Sequence, residues 1–423
     1  MKIEKVVGYQ VLDSRGKPTV AAAITLADGS THTARVPSGA STGKHEAREL
    51  RDGDSPTANK FYQGKSVNQA ITNINNIIAP TLLDKQISLS DVDTQLVDLD
   101  PTQDHAKLGA NATLAVSLAA AMADAHSQNK SLVRFFAGES DLEIPMPMVN
   151  ILSGGAHAGR TLDIQDVLIV PTGAITFTEA LSWIVAIRET AAKLGAQDGK
   201  VTHLIADEGG LGIAFDSVAK ACEFVVKAIE SVGLVPGSDV SLALDVASTQ
   251  FFDGNYYNLK TEGKSLKSNE YVNYIKNLVT TQPIISIEDP FAEDDWSAWQ
   301  QFMTIAPSKL QVLGDDLLTT NLNRLNKAIS ENSANAILIK ANQNGLVTST
   351  LNVLKQARAN NFNTVVSARS GETEDSWLAD LATGWRAGQI KVGSTHGSER
   401  NAKWNRLLEI EATDESVFAN PFD

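Results

Sequence analysis

Cysteine is nearly absent, one in 423 residues. A lone thiol closes no internal disulfide, so the fold must be held by its core, and dithiol redox chemistry is excluded. That residue, Cys222, lies with Val218, Ala221, Val225 and Ile229 on one face of a predicted helix, where a free cysteine packs as a small apolar side chain. Basic charge is also short, 36 Lys and Arg against 50 Asp and Glu, for a net charge of −14. Such a balance argues against nucleic acid or an anionic membrane surface as the main partner. No apolar run approaches the length of a bilayer span, and the opening stretch MKIEKVVGYQ lacks the apolar centre of a signal peptide, so a cytoplasmic location is expected. What the chain does have is 43% apolar content over a length that allows two domains with sizeable cores.

Residues 6–12, 19–26 and 31–36 read as strands, with Asp28-Gly29 a hairpin turn between the last two, so a small antiparallel sheet opens the chain. Val67, Ala70, Ile71, Ile74, Ile77 and Ile78 keep helical spacing, and the alanine-rich stretch 112–125 is apolar on most faces and is expected to be buried. Two prolines within residues 144–148, IPMPM, stop any helix and mark a linker. The predicted organisation is an α+β cap over residues 1–138 and a larger domain over 139–423. Two loops stand out in the cap, DSRG at 13–16 and PSGASTG at 37–43. The glycines, serines and threonine of the second would let it close as a lid and offer hydroxyl and backbone groups to an anion or metal.

The larger domain repeats one design. QPIISIEDP, residues 282–290, is a short apolar run ending in acid at Glu288. SLALD ends at Asp245, QVLGDD at Asp315 and Asp316, AILIK at Lys340, VVSARS at Arg369 and Ser370, and QIKVG near Lys391. Roughly 20 to 45 residues separate these tips, enough for the crossover helix and loops of a βα unit. One such helix is marked by Leu346, Val347, Thr350, Leu351, Leu354 and Ala357. Repeated parallel strands with helices outside close into a (β/α) barrel, whose chemistry sits at the strands' C-terminal ends. HLIADE, residues 203–208, fits the same pattern and would bring Glu208 to that mouth. His157, alone among small residues in SGGAHAG, reads by itself as a structural histidine.

Asp245, Glu288 and Asp315 converging at one mouth would repel one another without a cation between them. Ligation by oxygen alone, with no clustered Cys or His, points to Mg2+ rather than zinc. Lys340 and Lys391 stand opposite, and a lysine near a divalent cation is a candidate base because adjacent positive charge lowers its pKa. Arg369 with Ser370 suits an anionic group such as phosphate. A metal-held carboxylate substrate, a lysine base and a separate glutamate suit proton abstraction α to a carboxylate, then loss of a β-leaving group.

These motifs, in this order, resemble those of the enolases along nearly the whole chain: DSRG, PSGASTG, ELRDGD, LGANATLAVSLA, GGAHAG, DIQD, DEGG, LALDVAS, SIEDPFAEDDW, GDDL, ILIKANQ, RSGETED and IKVGS. The resemblance implies a TIM-like (β/α)8 barrel with a small α+β N-terminal cap, an unusual hairpin as the barrel's first connection, and the dehydration of 2-phosphoglycerate to phosphoenolpyruvate in glycolysis. It implies that Asp245, Glu288 and Asp315 hold a first Mg2+ and that Ser41 helps hold a second arriving with substrate. Lys340 would be the base at C2 and Glu208 the acid at C3. Gln165, His157, Asp166, Arg369, Ser370 and Lys391 would bind substrate, Asp166 assisting the proton traffic beside Glu208.

The chain also departs from the family pattern. Ala368 stands where enolases carry histidine before Arg-Ser-Gly-Glu, and Asp166 where they carry glutamate, so activity is expected but reduced. Ala21 and Glu409 replace a glutamate and an arginine that pair across the family's dimer interface. An acid-sugar dehydratase is a rival reading, disfavoured by a lid and an arginine-serine pair suited to phosphate. A cell-surface role such as plasminogen binding would draw on C-terminal lysines, and this chain ends in NPFD. A homodimer or larger homo-oligomer held by other contacts, or weakened, is expected. Equilibrium sedimentation showing a dimer as tight as the family's would make the missing pair dispensable.

Overall fold

The computed structural model describes residues 1–40, 43–53 and 60–423. Its chain opens with β1 (Ile3–Leu12), β2 (Pro18–Leu26) and β3 (Thr31–Arg35), an antiparallel sheet in that order. Gly29 makes the predicted hairpin turn at φ +85°, a conformation open to glycine at little cost. The helix Ala110–Ser127 lies across β2 and β3, buried on nearly every face as its composition requires. Alanines on both surfaces let helix and sheet approach closely: the register partners Ala22 and Ala34 are fully buried, as are Ala115, Ala119 and Ala120. The helical stretch after residue 67 runs Asn68–Asn73, widens to a π turn at Ile74–Ile78 and resumes at Ala79–Leu82. Pro80, which cannot complete the α-helical hydrogen-bond ladder, accounts for the widening.

The stretch 144–148, expected as a linker, is buried strand. β4 (Leu142–Ile144) pairs in parallel with β15 (Ser416–Phe418), and β5 (Met146–Ser153) follows at once. Its prolines are tolerated by position. Met146 N–H bonds Gly388 on one side, so Pro147 turns its missing donor to the other side, where pairing with β6 starts only at Val149.

The remaining strands are β6 (Asp166–Val170), β7 (Ser241–Asp245), the small hairpin β8 (Tyr257–Leu259) and β9 (Lys264–Leu266), then β10 (Ile284–Glu288), β11 (Gln311–Gly314), β12 (Ala336–Ile339), β13 (Asn363–Ser367) and β14 (Gln389–Lys391). Eight of them close into a barrel in the order β10-β11-β12-β13-β14-β5-β6-β7. Every contact in the ring is parallel except at β6, which runs against both β5 and β7. Met146, Met148, Leu168, Val170, Leu313 and Leu338 fill the interior. A second, larger core lies between the strands and the outer helices, among them Phe177–Gln197, Val218–Ser231, Ser268–Thr281 and Val347–Ala359. Side chains cap these helices where the sequence changes texture: Thr176 accepts from Glu179 N–H and Ser217 from Lys220 N–H.

One strand expectation fails. Residues 203–206 form no barrel strand; Leu204 is 72% and Ile205 48% exposed, and Ile205 makes only an isolated bridge to Leu211. The ring is already complete without this run, so Glu208 reaches the mouth on a loop. Ala21 lies within β2 opposite Tyr9 and Arg35, and exposed Glu409 pairs with Arg406 at 2.8 Å.

Cys222 sits on the buried face of Val218–Ser231, where burial pushes its thiol up to about 12 from an ordinary 9.0. Because the folded-state value is raised, this contribution to stability is fully present below pH 9.0 and is lost as pH climbs toward 12. A thiol-specific chromogenic reagent at about pH 8 is expected to leave the native chain untouched and to titrate Cys222 in denaturant. Rapid reaction of the native chain would place the thiol at the surface.

Candidate active site

The predicted strand tips do meet. β7 ends at Asp245 and β10 at Glu288, neighbours in the ladder, while Asp315 follows β11, Lys340 follows β12, Arg369 and Ser370 follow β13, and Lys391 ends β14. β6, running backwards, contributes its first residue, Asp166, paired in register with Asp245. Gln165, His157 and Glu208 arrive on loops. Ser41 lies outside the described residues.

Two lysines answer the acids. Lys391 Nζ stands 2.7 Å from both Asp245 Oδ2 and Glu288 Oε2. Burial alone would strip its proton, but those two carboxylates, with Glu208 and Asp166, hold it well above the ordinary lysine value. Lys340 bonds Asp315 Oδ2, and Gln343 Nε2 donates to Asp315 Oδ1 at 2.9 Å. Burial works most strongly against the charge on Lys340; the carboxylates, Asp315 first and then Glu288, together raise its pKa, with Arg369 and Lys391 pushing the other way. Arg369 forks onto Glu46 at 3.0 and 3.2 Å and donates to Asn342 at 2.9 Å. Ser370 Oγ accepts from Ala40 N–H at 2.7 Å and from Arg15 at 3.2 Å, which draws the described part of the PSGASTG loop over the mouth.

The opposite wall is organised differently. His157 Nδ1 lies 3.8, 3.7 and 3.8 Å from carboxylate oxygens of Asp166, Asp207 and Glu208. Buried His157 Nδ1, Asp166 Oδ2 and Asp207 Oδ1 have no hydrogen-bond partner, so unsatisfied groups gather at one spot. Burial pushes Asp166 well up, helped by the Glu208 and Asp245 charges. Burial acts on Glu208 too, but His157, Arg400, Lys391 and Lys340 outweigh it and hold Glu208 at about 2. One carboxyl therefore favours its proton and its neighbour its charge, the division expected of an acid-base pair.

His157, Gln165, Glu208, Lys340, Arg369 and Lys391 line one cavity with Asp245, Asp315, Ala368 and Ser370. Asp166 and Glu288 are buried behind it. Its free space is about 30 Å³, room for about two water molecules. Among the described residues, the groups of three potential ligand atoms within 4.8 Å of one another are Asp289–Asp315–Asp316 and His157–Asp166–Glu208; of the predicted metal ligands Asp315 belongs to one of them, and Asp245 and Glu288 to neither. Asp289 accepts from the N–H groups of Asp315 and Asp316 at 3.0 and 2.7 Å and so shapes that loop.

Residues 3–136 match the family profile "Enolase, N-terminal domain" and residues 141–420 match "Enolase, C-terminal TIM barrel domain". An enolase of Wolinella succinogenes is 44% identical over 412 residues, which is 97% of this chain and 96% of that protein. The chain belongs to the enolase family. It is accordingly a lyase of the phosphopyruvate hydratase type, with the enolase fold of cap and TIM barrel.

Several residues of this enolase site escaped the sequence reading. Asn150, within β5, donates to Glu208 Oε2 at 3.1 Å; a polar residue inside an otherwise apolar strand was the available signal. Arg400, wholly buried, donates to the carbonyls of Asp207, Arg369, Ser370 and Val392, tying three site loops together. Nothing local marks it. Gly393, at φ +117°, lies so near the Glu208 carbonyl that a Cβ would meet that oxygen at 2.7 Å. Gly393→Ala is expected to displace the Glu208 loop and cost roughly 10²-fold in turnover, with a melting temperature lowered by only a few degrees; unchanged turnover would show that the loop tolerates the shift.

Proposed function

We propose that this enzyme catalyses the Mg2+-dependent, reversible dehydration of 2-phosphoglycerate to phosphoenolpyruvate. The observation that carries the reading is the meeting, at one cavity, of Lys340, Lys391 and Glu208 with the carboxylates of Asp245 and Asp315 and with Arg369 and Ser370. Asp245, Glu288 and Asp315 supply only carboxylate oxygens, a donor set that fits Mg2+ better than a softer metal. These three residues would hold it. Mg2+ supplies the positive charge that lets the substrate's carboxylate take up the electrons left by the departing C2 proton.

Lys340 removes the C2 proton, for which it must leave Asp315 and give up its own proton; Arg369 and Lys391 already favour that loss. Breaking the C3–O bond restores the electrons to a new double bond, and the departing hydroxide takes a proton from Glu208. Glu208, charged at rest, must first take that proton, and Asp166 is its store; His157 Nδ1, 3.8 Å from each, has to close to hydrogen-bonding distance to carry it. Arg369 and Ser370 receive the phosphate, with Lys391 and Gln165 on the carboxylate end. Arg369 and Ser370 suit a phosphorylated ligand, which weighs against an unphosphorylated acid sugar. In keeping with this reading we propose a cytoplasmic, homo-oligomeric enzyme.

The deciding experiment is the absorbance rise of phosphoenolpyruvate from 2-phosphoglycerate, with Mg2+ and with chelator, for the natural chain and for Ala368→His. Turnover that needs metal and improves with histidine is the expected result; none in either folded form would overturn the proposal. Lys340→Ala should abolish turnover and leave Mg2+ binding largely intact by calorimetry. Asp166→Asn should slow turnover by about 10²- to 10⁴-fold, and a smaller effect would move the proton store elsewhere.

A further inference from the structure

Gln343 is 2% exposed, in the short helix Ala341–Asn344 that follows Lys340. Its amide is fully used. Nε2 donates to Asp315 Oδ1 at 2.9 Å and to Glu46 Oε1 at 3.3 Å, and Oε1 accepts from Thr320 Oγ1 at 2.8 Å. Both Nε2 partners are carboxylate oxygens, which only accept, so the amide has one chemically sensible orientation. With Lys340 on Oδ2 and Gln343 on Oδ1, the Asp315 carboxylate is pinned at both oxygens.

Glu46 lies in the N-terminal enolase domain, and its carboxylate also accepts from Gly43 N–H at 2.8 Å and from Arg369. Ala47 N–H bonds the Gln343 carbonyl at 2.8 Å, a second tie between the same two segments. Thr319 and Thr320 are buried β-branched residues at φ +45° and +48°, a strained backbone that persists only where surroundings enforce it. That conformation sets the Thr320 hydroxyl between Gln343 and the Lys340 N–H, the latter at 2.9 Å.

We propose that Gln343 is a positioning residue: it orients the Asp315 carboxylate for metal and transmits to it the placement of the N-terminal segment around Gly43 and Glu46. The metal half of this inference rests on the proposed function; the cross-domain half does not. Gln343→Leu keeps the bulk and removes every side-chain polar contact, leaving the backbone bond from Ala47 N–H. Calorimetric titration with MgCl2 alone is expected to show affinity reduced 10- to 100-fold at a temperature where circular dichroism shows the variant still folded, a loss that a merely structural residue would not produce. Amide exchange across residues 43–53 of the metal-free protein should accelerate. Glu46→Gln, which leaves Gln343 and Asp315 in place, should accelerate the same amides and weaken Mg2+ by roughly 2- to 30-fold; it decides the matter if Gln343→Leu does not fold.

Unchanged exchange in both variants overturns the cross-domain link, and unchanged Mg2+ affinity overturns the orienting role. Failure of the natural chain to bind Mg2+ or turn over 2-phosphoglycerate would instead count against the proposed function. The exchange measurement would still decide the link, because it needs neither metal nor substrate.

Discussion

A carboxylate taken out of water has to be met by a cation or by donors, and the mouth of this barrel is arranged around that requirement. Lys391 lies between Asp245 and Glu288, Lys340 sits on Asp315, and Arg369 forks onto Glu46. Each of these contacts joins residues from different strands or from different family domains. The strand register follows from them as much as it permits them: a slip of one residue in β10 or β14 would turn Glu288 or Lys391 into the wall and strand its partner in a dry interior.

Within that frame the two sides of the cavity are set to opposite protonation habits. On the lysine side, acids hold protons on nitrogen. On the loop side, His157 and Arg400 hold Glu208 charged, while burial favours the proton on Asp166. A carboxylate held charged thus stands beside one that favours its proton, an arrangement built from ordinary amino acids alone. It does need Arg400, whose four carbonyl contacts hold the Asp207 and Arg369 segments at fixed spacing.

The strand tips were legible because strands buried on both faces read as unbroken apolar runs, and a polar residue at the end of such a run has only the barrel mouth to face. Glu208 was placed correctly on a mistaken premise: HLIADE looks like such a run, yet its leucine and isoleucine are exposed and the residue travels on a loop. Residues 144–148 show the reverse error, since proline marks the absence of a ladder donor and a strand margin can supply that as readily as a linker. Glu46 and Gln343 were invisible for another reason. They stand 297 positions apart, and each is an unremarkable surface-type residue until the barrel closes. Ser41, expected at a second metal, lies outside the described residues.

The reversed strand β6 has a consequence for how such a site can be altered. In the parallel βα units each mouth loop runs on into an outer helix, so inserting residues there displaces the surrounding wall. The stretch between β5 and β6 instead leaves the mouth and returns to it, anchored at Ser153 and Asp166, which are hydrogen-bonded to each other at 2.6 Å. It is an arch with both feet on adjacent staves. Lengthening or shortening that arch would reshape the roof over the reacting carbons without shifting the ring of helices, which makes it the natural place for lineages, or engineers, to refit the enzyme to a differently sized acid.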